Sequence, residues 1–388
     1  MAEIAPFVGV LHQSKDAERR VTTPTSAADY QKALADGVWA PDSIPVIYRC
    51  HQEFEVHGKA FLRKSFIALT RLSPFADGVV LPCRVPVVAK PDELMRAGVH
   101  ATPPLGLHVD RYHMVDGIFA ELETFPPDAQ GCTDGVVHRV WRLTDEKAQQ
   151  RICHNLAHDK IYLADGQDRW EAMLALRDEL GPGQPGHDFA PMQFCNVDDE
   201  GLVVLATHRV VSGVPGFERG DVLSRAREFF TVSEGPLAGP QAVRPALHGQ
   251  RKRGATLAMI TPDSSKIAYL RLRGDLIKSS VPALAESRAL GDLDITLLHG
   301  VVLETLLGLE RGSAQIRYVA DWERAFAELE TPGVQAVFLV NPTLVEQLCA
   351  VADEGHVLPP HAASFYPPLP PGLVMHAISA DEKVHVPG

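Results

Sequence analysis

The sequence predicts a mixed α/β fold of the α+β kind, arranged in two lobes. Three observations carry this. The chain has 388 residues, more than one hydrophobic core usually organises. Short apolar runs with strand-like character interleave with stretches whose apolar residues recur at helical spacing. The run Gly181-Pro-Gly-Gln-Pro-Gly186 cannot continue the helix before it. It marks a lobe boundary or a long loop, and the expected division is an N-terminal lobe, residues 1–180, and a C-terminal lobe, residues 191–388.

In chain order, Val46-Ile-Tyr-Arg and Phe66–Leu72 are strand candidates, and Asp77-Gly78 before Val79 fits a hairpin turn. Val136–Leu143 alternates as a half-buried strand, and Asp145–Leu156 reads as a helix. Ile161-Tyr-Leu163 ends a buried strand, Asp165-Gly166 turns the chain, and a helix runs from about Arg169 to Leu180. Past the glycine-proline run, Met192–Val197 and Leu202–Ala206 form a pair of strands around Asp198–Gly201. Helices follow near Val222–Phe230 and Leu293–Leu307. The tail alternates a strand at Gln315–Val319, a helix at Trp322–Leu329, a strand at Ala336–Val340 and a helix at Leu344–Asp353. Leu358–Pro371 is an ordered proline-rich loop anchored by Phe365, Tyr366 and Leu369.

Composition narrows the function. With 45% hydrophobic and 22% charged residues, the chain reads as globular. No apolar run has the length of a membrane span, and no basic region precedes an apolar stretch at Met1–Phe7. Six scattered cysteines without a Cys-x-x-Cys pair fit free thiols in the cytoplasm. A net charge of −12 argues against nucleic acid or an anionic membrane as partner. The expected partner is a small-molecule substrate, and homo-oligomer formation is left open. One local exception is the basic turn His248-Gly-Gln-Arg-Lys-Arg-Gly254, a solvated loop or a phosphate holder.

Walker A, Gly-x-Gly-x-x-Gly, Gly-x-Ser-x-Gly and His-Glu-x-x-His signatures are all missing. Cys153-His154 with His158 has metal-compatible spacing but lacks an identifiable third ligand, so no metal site is assigned. Cys50, His51 and Glu53 cluster after a strand start, and Thr207-His208-Arg209 follows an apolar strand, either ending it or reaching a ligand. The stretch Tyr162–Glu171 carries the most information. It sets backbone N–H groups, Arg169 and the carboxylates Asp165 and Asp168 at a strand-to-helix junction, where anions are commonly held.

Tyr48–Phe54, Val137–Thr144, Leu163–Gly166, Ala206–Val210, Leu293-Asp294, Ala336–Thr343, Phe365-Tyr-Pro and Gly372-Leu-Val together resemble the family called domain of unknown function 1015. That family's central motif, Ala-Asp-Gly-His-His-Arg-Tyr-Glu, is similar to the loop of the ParB/sulfiredoxin-like free-serine kinases. The resemblance implies a nucleotide- or phosphate-holding turn in the N-terminal lobe. It places Asp165, Gly166, Arg169, Glu171, Thr207, His208 and Arg209 at matching positions, with ligand or cofactor contacts from Asp165, Gly166, Arg169, Thr207 and Arg209. An altered cleft would work through Asp168, Arg169, His208 and Cys83 or His361, and a kept kinase-like chemistry through Glu53 or Glu171 as base.

The chain departs from the family at several polar positions. Gln167 and Asp168 stand where the family has two histidines. Pro82-Cys83-Arg84 replaces a Pro-His-Glu-Arg-Thr motif, Thr23–Ala27 replaces an N-terminal Pro-Pro-Tyr-Asp-Val, and His361 stands in place of a lysine. Gln167 does not titrate, and Asp168 repels phosphate unless a cation intervenes. The first expectation is therefore a repurposed enzyme acting on a polar, amino-acid-like or phosphorylated metabolite, with Cys83 as an optional nucleophile. A retained amino-acid kinase would use ATP or ADP with Mg²⁺. A non-catalytic metabolite-binding protein is the third reading.

Overall fold

His57 and Gly58 both take positive φ angles (52° and 78°), the requirement of a type I′ two-residue turn. They join strand β1 (Ile47–Val56) to β2 (Lys59–Arg71) in a long hairpin that pairs Val56 with Lys59 and Tyr48 with Ile67. The computed structural model describes residues 2–85, 88–181, 183, 186–274, 285–310, 312–368, 372–379 and 382–387. These fall into two units, Met1–Val203 with Phe365–Gly388, and Val204–Ser364.

Around the hairpin, the first unit adds β3 (Val80–Pro82), β4 (Leu105–His108), α1 (Met114–Phe119), β5 (Ala129–Thr133), β6 (Val136–Leu143), α2 (Glu146–Leu156), β7 (Ile161–Asp165), α3 (Gln167–Leu180) and β8 (Phe189–Asn196). The strands run β3-β7-β4-β8-β2-β1-β6-β5, with Ile4–Ala5 also paired to β2. The β3/β7 and β4/β8 pairs are parallel and the others antiparallel. Alternation along β2 divides its side chains between two cores. Phe66 and Ala68 join Ile152, Leu156, Trp170, Met173 and Leu176 of the helices. Ile67 and Leu69 join Tyr48, Val140, Leu373 and Val374 on the other face. The Asp145 carboxylate caps α2 by accepting from Ala148 N at 2.7 Å. A smaller four-stranded sheet has the order Trp39–Pro41, Gly9–His12, Val374–Ala377, Val99–His100.

The second unit contains β9 (His208–Ser212), α4 (Arg219–Ala226), β10 (Phe230–Pro236), α5 (Pro240–Gln250), β11 (Thr256–Ile260), β12 (Lys266–Leu272), α6 (Asp294–Leu297), β13 (Ile316–Val319), α7 (Trp322–Ala327), β14 (Val334–Leu339) and α8 (Val345–Asp353). Its sheet is antiparallel throughout the described strands, in the order β10-β12-β11-β14-β9-β13. Val243 and Leu247 of α5 and Trp322 and Ala325 of α7 pack on Val210, Ala258, Ile260 and Val337.

The mixed α+β class matches expectation, and several local readings change. Asp77-Gly78 does not make a hairpin: Gly78 closes a 3-10 turn over Phe75–Asp77, and β3 then pairs with β7, from far along the chain. The helix expected from Arg169 starts at Gln167. Strand β8 takes β2 and β4 as neighbours, so Val203–Leu205 is not its partner. Helix α4 ends at Ala226, and Phe230 opens β10. The helix expected over Leu293–Leu307 continues past α6 as a widened π-helical stretch, Leu298–Leu306. The segment after Gly181, expected to separate lobes, connects α3 to β8 within the first unit. Pro182, Gln184 and Pro185 of that run, Pro86, and Leu369–Pro371 lie outside the described residues. Among the described residues, no helix is long and apolar enough to cross a membrane.

Candidate functional site

The β7–α3 junction is built around a register shift. Pairing with β4 slips between Leu163 and Asp165, which sets Asp165 opposite Leu105. Gly166 follows with φ of 76°. A Cβ there would lie 2.9 Å from Pro104 Cα and 2.6 Å from Arg169 Nη2, so the Arg169 guanidinium folds back over the turn. Asp165 Oδ1 accepts from Gly166 N at 2.9 Å and stands 3.4 Å from Arg84 Nη1. Gln167 is buried, and its Oε1 accepts from Arg84 N at 3.1 Å. Its Nε2 is buried without a partner, as is Arg169 Nε. Asp168 is exposed in the first helical turn, where a carboxylate complements the helix dipole. Glu171 is half-buried on the next turn.

Two departures from the family pattern meet here. Leu163 pairs with Pro82 across the parallel β3/β7 ladder, which brings Pro82-Cys83-Arg84 beside Asp165–Arg169. The Cys83 thiol is buried and points to Leu81 O at 3.9 Å.

A polar strip missing from the sequence reading shares a sheet face with Asp165. Register places His138 beside Gln52 and Gln52 beside Arg63. It likewise places Gln193 beside Leu105, the partner of Asp165. Arg63 is fully buried; its Nε donates to Gln52 Oε1 at 2.9 Å, its Nη2 contacts Pro367 O, and its Nη1 has no partner. Burial lowers the Arg63 pKa, while Cys195, Asp199 and Asp165 act in the opposite sense. Gln193 Nε2 donates to Ser65 Oγ at 2.8 Å. Burial, helped by the Arg63 charge, brings His138 down to about 4, so its ring is neutral at pH 7. Neither of its nitrogens has a hydrogen-bond partner.

Glu53 faces the other way, because β1 alternates and Gln52 faces the strip. Glu53 is half-buried and ion-paired with Arg139. On that opposite face Arg49, His51 and Lys64 converge on Glu123 at 2.8, 3.1 and 3.0 Å. Burial alone would raise the Glu123 pKa, but His51, Arg49 and Lys64 outweigh it and bring it to about 2. The Cys50 thiol is pushed up by burial to about 12, which leaves it without thiolate character.

Thr207, His208 and Arg209 are buried joints of the second unit. His208 Nδ1 accepts from Val340 N at 3.4 Å, and its ring meets Trp322 edge-on at 4.3 Å. Arg209 donates from Nε to His299 Nε2 at 3.2 Å, from Nη1 to Thr207 O, and from Nη2 to Pro360 O and His361 O at 3.1 and 3.2 Å. Its guanidinium lies 5.0 Å from the Tyr318 ring centre, and burial lowers its pKa to about 9. His361 is exposed, and its ring packs tilted by 32° against Tyr318 with the ring centres 4.2 Å apart. His154 and His158 lie edge-on at 6.2 Å, and no group of three or more potential metal ligands occurs among the described residues.

No curated protein matches the chain. Among solved structures, a free serine kinase in complex with AMP is similar at 14% identity and a TM-score of 0.37, covering 81% of this chain and 92% of that one. A substituted form of free serine kinase with ADP aligns at 13% identity and 0.38, with the same coverage. A conserved hypothetical protein from Pyrococcus furiosus aligns at 14% identity and 0.35, covering 79% and 92%. The family model described as "Protein of unknown function (DUF1015)" matches residues 9–296. With most of its length under that model, the chain belongs to the DUF1015 family.

Proposed function

We propose that this protein is a small-molecule enzyme that holds a polar metabolite by an anionic group at the Gly166–Arg169 turn and acts on it beside the polar strip. One observation carries the reading: two buried donors without acceptors, Gln167 Nε2 and Arg169 Nε, occur together at the N-terminus of a fourteen-residue helix. Each unsatisfied buried donor is worth about 1–3 kcal/mol of lost stability, which an incoming carboxylate or phosphoryl oxygen would recover. The helix N-terminus and the Arg84 guanidinium favour the same charge. Exposed Asp168 opposes a dense negative charge and favours a ligand that also carries a cation, as an amino acid does. Asp165 is the carboxylate at the turn within reach of the held ligand, and Arg63, on the same sheet face, supplies fixed positive charge.

Thermal unfolding against a panel of amino acids, phosphoamino acids and ATP or ADP with Mg²⁺ tests this. A ligand at 100 times its Kd adds about 2.7 kcal/mol of apparent stability. The expected result is stabilisation by an amino acid or its monophosphate, lost in Arg169→Ala, followed by turnover of the ligand found. Equal stabilisation of wild type and Arg169→Ala would sink the reading. Stabilisation by Mg-nucleotide alone would replace it with a retained kinase.

A further inference from the structure

A concave cationic surface lies wholly within the second unit. The turn Arg251–Arg253 follows α5, and Arg271 and Arg273 come from the end of β12; together they line a groove of about 920 Å³. Arg251 is committed inward, donating to Pro342 O at 3.0 Å and Gln347 Oε1 at 2.7 Å. Arg273 Nη1 donates to Arg227 O at 3.1 Å. Lys252, Arg253 and Arg271 form no ion pair among the described residues. Two carboxylates, Asp292 and Asp294, also line the groove; Asp294 is spent internally, accepting from Asn341 Nδ2 at 2.9 Å and Thr256 N at 3.1 Å. Cations after the C-terminal end of a helix complement its dipole. That accounts for the 251–253 turn, but not for two arginines arriving from a strand.

We propose that this groove binds a small molecule carrying two or more phosphoryl groups. One phosphate engages two or three cationic side chains, and the groove lines up five, two of them (Arg251 and Arg273) already donating to protein oxygens, in a chain of net charge −12. Its volume falls in the range of small-molecule sites, about 300–1,000 Å³. Its described lining holds no Phe, Tyr or Trp and one ring, His248, so it lacks the row of aromatic side chains on which single-stranded nucleic acids stack successive bases. The acidic chain as a whole repels a polyanionic polymer.

Calorimetric titration of the full chain with sodium tripolyphosphate and with orthophosphate tests the proposal, in wild type, the exposed double variant Lys252→Ala/Arg253→Ala, Arg271→Ala and Arg169→Ala. Tripolyphosphate should bind at least about tenfold more tightly than orthophosphate, and more weakly as salt rises. In the Arg169→Ala background, which takes the anion-holding turn of the first unit out of the titration, the double variant and Arg271→Ala should each weaken it about tenfold or more. No binding at millimolar tripolyphosphate, full binding by both groove variants, or tighter binding of a short single-stranded oligonucleotide would overturn it. Loss in Arg169→Ala alone would also overturn it, while leaving the reading of the first unit standing.

Discussion

Replacing Gly166 with Ala tests whether the β7–α3 turn is as tight as its geometry indicates. Two contributions add. An L-residue held at φ of 76° costs about 1–2 kcal/mol. The new methyl would also stand 2.9 Å from Pro104 Cα, a backbone atom that cannot swing aside, and such overpacking costs about 1–3 kcal/mol. The Arg169 Nη2 contact at 2.6 Å adds less, because a side-chain end can rotate away. The sum is about 2–5 kcal/mol. Gly58→Ala is the matched control: φ is 78° there and nothing lies within 4 Å of the added Cβ, so only the first contribution applies. Urea unfolding followed by tryptophan fluorescence suits the measurement, because Trp170 is fully buried one helical turn from the substitution. A Gly166→Ala variant that loses no more stability than Gly58→Ala would refute the close approach of Pro104, and with it the shape assigned to the turn.

The remaining predictions concern the buried polar groups. Glu123, depressed from 4.5 to about 2, contributes about 3 kcal/mol. That stability is complete above pH 4.5 and lost as pH falls towards 2, so Glu123→Gln should flatten the acid limb of the stability profile; an unchanged limb would contradict the network. Arg209→Lys removes a planar fork that serves His299, Thr207, Pro360 and His361. It should destabilise the protein by about 2–4 kcal/mol, and a loss under about 1 kcal/mol in denaturant titration would show that the fork is dispensable. Native thiol titration at pH 8 should modify only Cys132 and Cys349, the two thiols that are not buried. Rapid labelling of Cys50, Cys153 or Cys195 would contradict the burial that raises their pKa values.

Local patterns were the legible part of this chain. The alternation of Val136–Leu143 and the Asp145 cap of α2 can be read from neighbouring residues alone. The His57-Gly58 turn was not legible, because His-Gly is a weaker hairpin signal than Asn-Gly. Once that turn is known, counting outward pairs Gln52 with Arg63, and half of the polar strip follows from register. Asp77-Gly78 misled in the opposite direction: its left-handed glycine is real, but β3 finds its partner about eighty residues onward. Arg209 misled because an isolated arginine after a strand is ordinarily turned to solvent or ligand. Here carbonyls from Pro360 and His361 satisfy it, a contact no local window contains.

The order in which the chain emerges from the ribosome matters for this architecture. Strand Val374–Ala377 sits between Gly9–His12 and Val99–His100 in the small sheet. The small sheet of the first unit therefore lacks a central strand until residues 374–377 have been synthesised. Residues 204–364 form a contiguous stretch, and the six described strands of their main sheet are complete by Leu339. At about 5–20 residues per second, the edge of Gly9–His12 waits on the order of twenty seconds or longer for its neighbour. During that interval the nascent chain presents an open strand edge, and it is the stage of biosynthesis at which a holding chaperone would have the most to protect.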